Sequence, residues 1–188
     1  MANVAISGDT SGAVTLTVPS TVGTLSATFP AATGTVMVSG NQPAFSVTNN
    51  ANQSISGNTT TKIAFQTKVF DTANAFDSTT NYRFQPTVAG YYQLNATISL
   101  GTAATITQAT GQFQVSGSNY GPRLFDINPS ASLTSNSWIT LTGSLLVYLN
   151  GSTNYVEVYA YIYPTAGTIG YNGGANICQF SGSLVRAS

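Results

Sequence analysis

Two stretches of the chain alternate strictly between apolar and polar positions. From Gly90 to Leu100, Tyr92, Leu94, Ala96, Ile98 and Leu100 fall on one face, with Tyr91, Gln93, Asn95, Thr97 and Ser99 on the other. That period of two predicts a strand with one face on a core and one toward water. Gly90 and Pro86 punctuate its entry. From Tyr155 to Tyr163 the alternation sets Val156, Val158, Ala160 and Ile162 against Tyr155, Glu157, Tyr159, Tyr161 and Tyr163. Neither of those faces suits plain exposure. The tyrosine face is either covered by a loop or a stripe for self-association, since a Tyr ring offers apolar area and its hydroxyl can still find a partner. Further strands are expected at Gly111–Ser116, Trp138–Leu149, Asn154–Pro164 and Ala175–Arg186, separated by glycines and prolines such as Gly117, Gly121-Pro122, Gly151 and Gly173-Gly174. Thr48–Thr61 reads as a polar connection, and Tyr120, Pro122 and Arg123 as part of a loop-rich section. Repeated short strands without a helical period predict an all-β sandwich or jelly roll.

The first forty residues carry a weaker version of the same pattern. Val14, Leu16 and Val18 alternate with threonines, Leu25 and Phe29 flank a second short alternation, and Val36 and Val38 follow the turn at Pro30–Gly34. So few large apolar residues do not fold alone. The expectation is therefore an N-terminal β-rich arm over 1–42, whose apolar positions anchor or interlock it, ahead of a domain at 43–188.

Composition narrows the chemistry. Five acidic and five basic residues in 188 leave no net charge, a charged share of 5% against about 25% in ordinary domains. Ser, Thr, Asn, Gln and Gly solvate the surface instead, which gives no electrostatic reason to bind nucleic acid or an acidic membrane. No apolar run has the length of a secretory signal or a membrane span. Cys178 is the one cysteine, so no disulfide closes within a chain, and it is expected as a small buried hydrophobe. With no histidine, zinc and haem sites and Ser-His-Asp or Cys-His arrangements lack their parts. No phosphate-binding or dinucleotide fingerprint occurs. No enzyme activity, cofactor or metal is expected. Asp71 and Asp77 flank a turn; they are expected as turn residues, balanced by Lys62, Lys68 and Arg83 in weak local pairs. With Asn74 they offer oxygens to Ca²⁺ at a spacing that fits no EF-hand loop. Trp138 reads as a core anchor ahead of an exposed contact.

The order of parts resembles the globular head of complement C1q and its tumour-necrosis-factor-like relatives. The carrying residues are Ala44-Phe45-Ser46, the aromatic stretch Phe65–Phe70, Tyr82-Arg83-Phe84-Gln85-Pro86, Gly90-Tyr91-Tyr92, and the closing Phe180-Ser181-Gly182. Leu149-Asn150-Gly151-Ser152 stands where the animal proteins carry a second Gly-Asp motif, so their ligand sites do not transfer. The resemblance implies a C1q/TNF-like jelly roll that forms a homotrimer, with Tyr91, Tyr155, Tyr159, Tyr161 and Tyr163 expected at the trimer interface. Leu25–Asn41 followed by Gln42-Pro43-Ala44-Phe45-Ser46 is also similar to segments of bacteriophage virion proteins. That likeness implies a structural protein of a phage particle, assembled in the host cytoplasm and exposed on the virion surface. A trimeric capsid decoration (cement) protein is the reading preferred, with the major capsid protein or another virion protein as partner through the arm. The alternative is a receptor-binding fibre tip that recognises a host surface ligand.

Overall fold

The alternation predicts strands, and in the computed structural model every regular element among the described residues (4–7, 13–16, 42–101, 106–127, 138–164, 169–171 and 177–188) is a β-strand. All their pairings are antiparallel. The chain divides into two units, Met1–Thr35 and Val36–Ser188. In the first, β1 (Val4–Ser7) and β2 (Ala13–Leu16) pair, with Val4 opposite Leu16 and Ile6 opposite Val14. Of the anchoring positions, Val14 and Leu16 thus lie in β2. Val18, Leu25, Phe29, Val36 and Val38 lie outside the described residues.

The second unit stacks two sheets. The seven-stranded sheet is centred on β9 (Gly90–Gly101). One edge of β9 pairs along its whole length with β12 (Trp138–Leu149), from Gly90 opposite Leu149 to Gly101 opposite Trp138. Its other edge is shared by β15 (Gln179–Ala187) and the short β14 (Ile169–Tyr171). Beyond these lie β3 (Ala44–Thr48), β4 (Gln53–Ile55) and β6 (Thr67–Asp71). In the six-stranded sheet, β10 (Ile106–Val115) lies between β11 (Ser118–Ile127) and β13 (Val156–Pro164). The far edge of β13 is shared by β5 (Thr61–Lys62) and β8 (Arg83–Phe84), and β7 (Phe76–Asp77) closes that side.

Two expectations are corrected. The polar connection Thr48–Thr61 contains β4, whose Ile55 is fully buried; three residues among Asn, Ser and Gly are too short a run to show a period. The loop expected around Tyr120–Arg123 is β11, an edge strand. Gly121-Pro122 falls in a bulge there. Tyr120 is opposite Phe113 and Phe125 opposite Gly111, so β11 spends extra residues against Gln112. An edge strand tolerates proline at such a place. Gly121 has a φ of 75°, and a Cβ there would come 2.8 Å from Leu145 Cδ1 of β12, which is why the bulge holds a glycine.

The core between the sheets is knitted by aromatic rings. Phe45 of β3 stacks on Phe84 of β8 with centroids 4.2 Å apart, and meets Phe180 of β15 edge-on at 4.9 Å. Phe180 also reaches Phe65, Phe76 and Phe113, while Phe84 meets Tyr92 of β9 at 5.4 Å. The Tyr92 hydroxyl donates to Val88 O at 2.7 Å, so a buried phenol is satisfied, and burial pushes its pKa up to about 12. Gly182 lies opposite Phe45 in the β3–β15 register. A side chain at Gly182 would meet Leu94 Cδ2, Phe45 Cε1 (2.9 Å) and Gln93 O (3.0 Å). Replacing Gly182 with alanine is therefore expected to destabilise the fold by about 1–3 kcal/mol through overpacking, read as a lowered urea midpoint. Ser183→Ala, next door and exposed, should change it by less than about 0.5 kcal/mol.

Candidate interaction surfaces

Asp71 and Asp77 are consumed by their own turns. Asp71 accepts from the Ala75 and Phe76 amides at 3.0 and 2.9 Å and pairs with Lys68 Nζ at 2.8 Å. Burial pushes its carboxyl up, but Lys68 and the two amides outweigh this and hold it below the usual value. Asn74 Oδ1 accepts from the same ammonium at 2.9 Å. Two of the three residues offered to Ca²⁺, Asp71 and Asn74, thus converge on a cation the chain supplies itself. Asp77 accepts from the amides of Thr80, Thr79 and Asn81 and from the Asn81 side chain at 2.8–3.0 Å. Those bonds hold its carboxyl well below the ordinary range. It borders a cleft of about 390 Å³ beside Arg83 and Gln85. Arg83 does not balance an acid as expected: its guanidinium lies 4.3 Å over the Tyr155 ring, a cation–π contact. Cys178 is buried, its Sγ accepting from the Ser99 amide at 3.2 Å, and burial pushes the thiol up.

The five tyrosines expected in one interface are divided between two sheets. Tyr155, Tyr159, Tyr161 and Tyr163 line the outer face of the six-stranded sheet, as the alternation predicts. The face is polar rather than greasy. Glu157, only 5% exposed, accepts from Lys62 Nζ at 2.7 Å and from the Tyr159 hydroxyl at 3.0 Å, and Lys62 also donates to Asn81 O at 3.2 Å. Burial and the bond to Glu157 push the Tyr159 phenol up to about 12. Tyr155 lies under Arg83, and only Tyr163 of the four is widely exposed. Rings held by partners within the chain leave less surface for a second copy. Strand alternation cannot see this, because Lys62 and Arg83 come from distant segments.

Tyr91 belongs to a different surface. On the outer face of β9 and β12, Tyr91, Gln93, Asn95, Thr97 and Ser99 stand opposite Tyr148, Leu146, Ser144, Thr142 and Thr140. None of these positions carries a charge. At one end Tyr91 and Tyr148 meet edge-on, centroids 5.5 Å apart, beside Leu146. Val185, the extra residue of the β15 bulge, adds to this end, and Arg186 borders it opposite Tyr91. Tyr91 and Tyr148 are each 45% exposed, Leu146 56% and Val185 59%. Trp138, expected in the core, stands at the far end of β12, 57% exposed and lying against Gly101. Its neighbour Ile139 faces the core instead. Parity along 138–149 would have found these residues. Ile139, Leu141, Leu145, Val147 and Leu149 take the inner face, which leaves Trp138, Leu146 and Tyr148 outside.

No protein-family model and no curated protein matches the sequence. Solved structures do. Eiger TNF from S. frugiperda is 9% identical with a TM-score of 0.58, over 78% of this chain and 94% of that one. Murine APRIL at pH 8.5 is 11% identical with a TM-score of 0.51, over 77% of this chain and all of that one. Murine APRIL at pH 5.0 gives 10% identity and 0.50. At such identities the likeness is one of fold, and the fold is a TNF-like jelly roll.

Because the Asp77 carboxyl is held low in the folded state, its contribution to stability is full above the unfolded value of about 3.9. It fades as the pH falls from there toward the folded value. Asp77→Asn should therefore flatten the acid limb of a plot of urea midpoint against pH between about pH 4.5 and 2.5. An unchanged limb would mean that the turn does not carry this dependence.

Proposed function

We propose that the chain is a self-associating structural subunit of a bacteriophage particle. In this reading it is a trimeric decoration (cement) protein with its jelly roll at the particle surface. Its N-terminal unit, with the β1–β2 pair, engages the major capsid protein or another virion protein. The observation that carries the reading is the uncharged outer face of β9 and β12, with its apolar end at Tyr91, Leu146, Tyr148 and Val185. Interface cores shed charge and collect aromatic rings, and an exposed apolar cluster on an otherwise hydroxyl- and amide-rich surface is best explained by a partner that covers it. The resemblance to the C1q/TNF group supports three copies, and the Leu25–Asn41 phrase supports the phage context. The role is mechanical. Burial of strand faces between copies reinforces the shell, and the reaction chemistry of the chain is not called upon. Contacts in a three-fold ring are heterologous, joining two different patches of each copy, so the second patch need not repeat the first.

A fibre tip that recognises a host surface ligand is the second reading, favoured by a polar groove on the six-stranded sheet. Copy number separates the two. A trimer at each capsid three-fold position supports cement, and a handful of copies per particle supports the tip.

Leu146→Asp places a charge at the centre of the proposed contact, where an unpaired buried charge costs several kcal/mol. The variant is expected to sediment at about one third of the parent's mass while unfolding at a similar urea midpoint as a monomer, since Leu146 is already exposed. A parent that sediments as a lone subunit sinks the reading. Deleting residues 1–40 is expected to leave a soluble trimer that no longer joins particles; normal incorporation of the truncated protein would remove the anchoring role of the N-terminal unit.

A further inference from the structure

The outer face of the six-stranded sheet, away from the proposed assembly face, holds a groove of about 350 Å³. It is lined by Gln108, Thr110 and Gln112 of β10, Asn119 and Arg123 of β11, and Tyr161 of β13, with Thr60 completing it. Every one of these side chains bears a hydrogen-bonding group. Thr110 is buried and stands directly opposite Tyr161, and Gln112 stands opposite Tyr159. The amides of Gln112 and Gln114 both donate to Asn119 Oδ1 at 3.0 Å, which fixes their orientation. Beside them the buried Glu157 holds Tyr159 and Lys62. The groove is therefore ordered before any ligand arrives, which spares a ligand much of the expense of immobilising side chains.

The lining discriminates among ligand classes. A greasy molecule finds no aliphatic wall. A nucleic acid needs a row of cations along its phosphates, and the groove has one arginine. An extended peptide has no ladder to join at β10, whose two edges are taken by β11 and β13. A sugar fits each part. Its hydroxyls both donate and accept, as the amide side chains do, and its C–H face can lie on the Tyr161 ring. A carboxylate on the sugar would meet the guanidinium of Arg123, whose five N–H donors can serve a ligand beside the partner it has within the chain. We propose that this groove binds a saccharide carrying a carboxylate, an acidic sugar of the uronic or sialic type. The site stands independently of the assembly reading, because it uses the opposite sheet.

The full chain is applied to an array of neutral and carboxylated oligosaccharides, and the sugars retained are titrated calorimetrically. Carboxylated sugars are expected to bind at least about tenfold more tightly than neutral counterparts of the same length. Arg123→Gln should erase that difference. Gln112→Ala and Tyr161→Ala should each weaken binding about tenfold, while Ser183→Ala on the other sheet leaves it unchanged. Thermal unfolding of each variant checks that the sheet is intact, and Arg123→Gln, at an exposed position, gives the reading should Tyr161→Ala fail to fold. The titration is repeated on Leu146→Asp, so that a loss of assembly is told apart from a loss of the groove. No retained sugar, equal binding of neutral and carboxylated sugars, or binding indifferent to Arg123→Gln and Gln112→Ala would overturn the proposal.

Discussion

The two sheets are joined by rings that cross between them. Phe45 sits where β3 of one sheet faces β8 of the other, and its stack on Phe84 is continued by Phe180, Phe76 and Tyr92. Aromatic pairs in offset or edge-on geometry are worth about 0.5–1.5 kcal/mol each beyond the area they bury. The larger effect is geometric. The rings set the spacing between the sheets, and that spacing is possible only because the position opposite Phe45 is a glycine, Gly182. The motifs at both ends of the domain, Ala44-Phe45-Ser46 and Phe180-Ser181-Gly182, are thus one feature. They are antiparallel neighbours, and each needs the other's shape.

A surface so poor in charge has consequences. Among the described side chains, Asp71 and Asp77 are tied into turns and Glu157 into its pair with Lys62, where amides and ammonium groups hold them. Solubility then rests on hydroxyls and amides. These are compatible with water and also with burial against another protein, since a Ser or Thr costs far less to desolvate than a Lys or Glu. Long strands such as β9 and β12 can therefore present an unbroken face to a partner without a charge to bury.

The two outer faces of the sandwich differ for a physical reason. On the seven-stranded sheet the outward rows of β9 and β12 are mostly small polar residues with an apolar end, open to solvent along β12 and partly covered along β9, where Ser99 is buried. On the six-stranded sheet, Lys62 and Arg83 reach over the tyrosine row and convert it into a polar, internally bonded surface. One face suits a broad protein contact and the other a small hydroxylated ligand. The same fold carries both because the sheets share a core and nothing outside it.

Alternation alone determined the strands at Gly90–Leu100 and Tyr155–Tyr163 with their inward rows, and the span of β12, because a half-buried strand repeats every second residue whatever lies across from it. Composition determined the absence of histidine chemistry and the use of Asp71 and Asp77 as turn acids. Tertiary structure decided the rest. Ile55 and β11 became strands only because a neighbouring strand was there to pair with them. Trp138 went outward because Ile139 filled the core. Tyr91 parted from the other four tyrosines because its strand belongs to the other sheet. Which side chains converge on a face depends on the order in which strands are laid side by side, and that order is set by contacts between residues far apart in the chain, which no local period records.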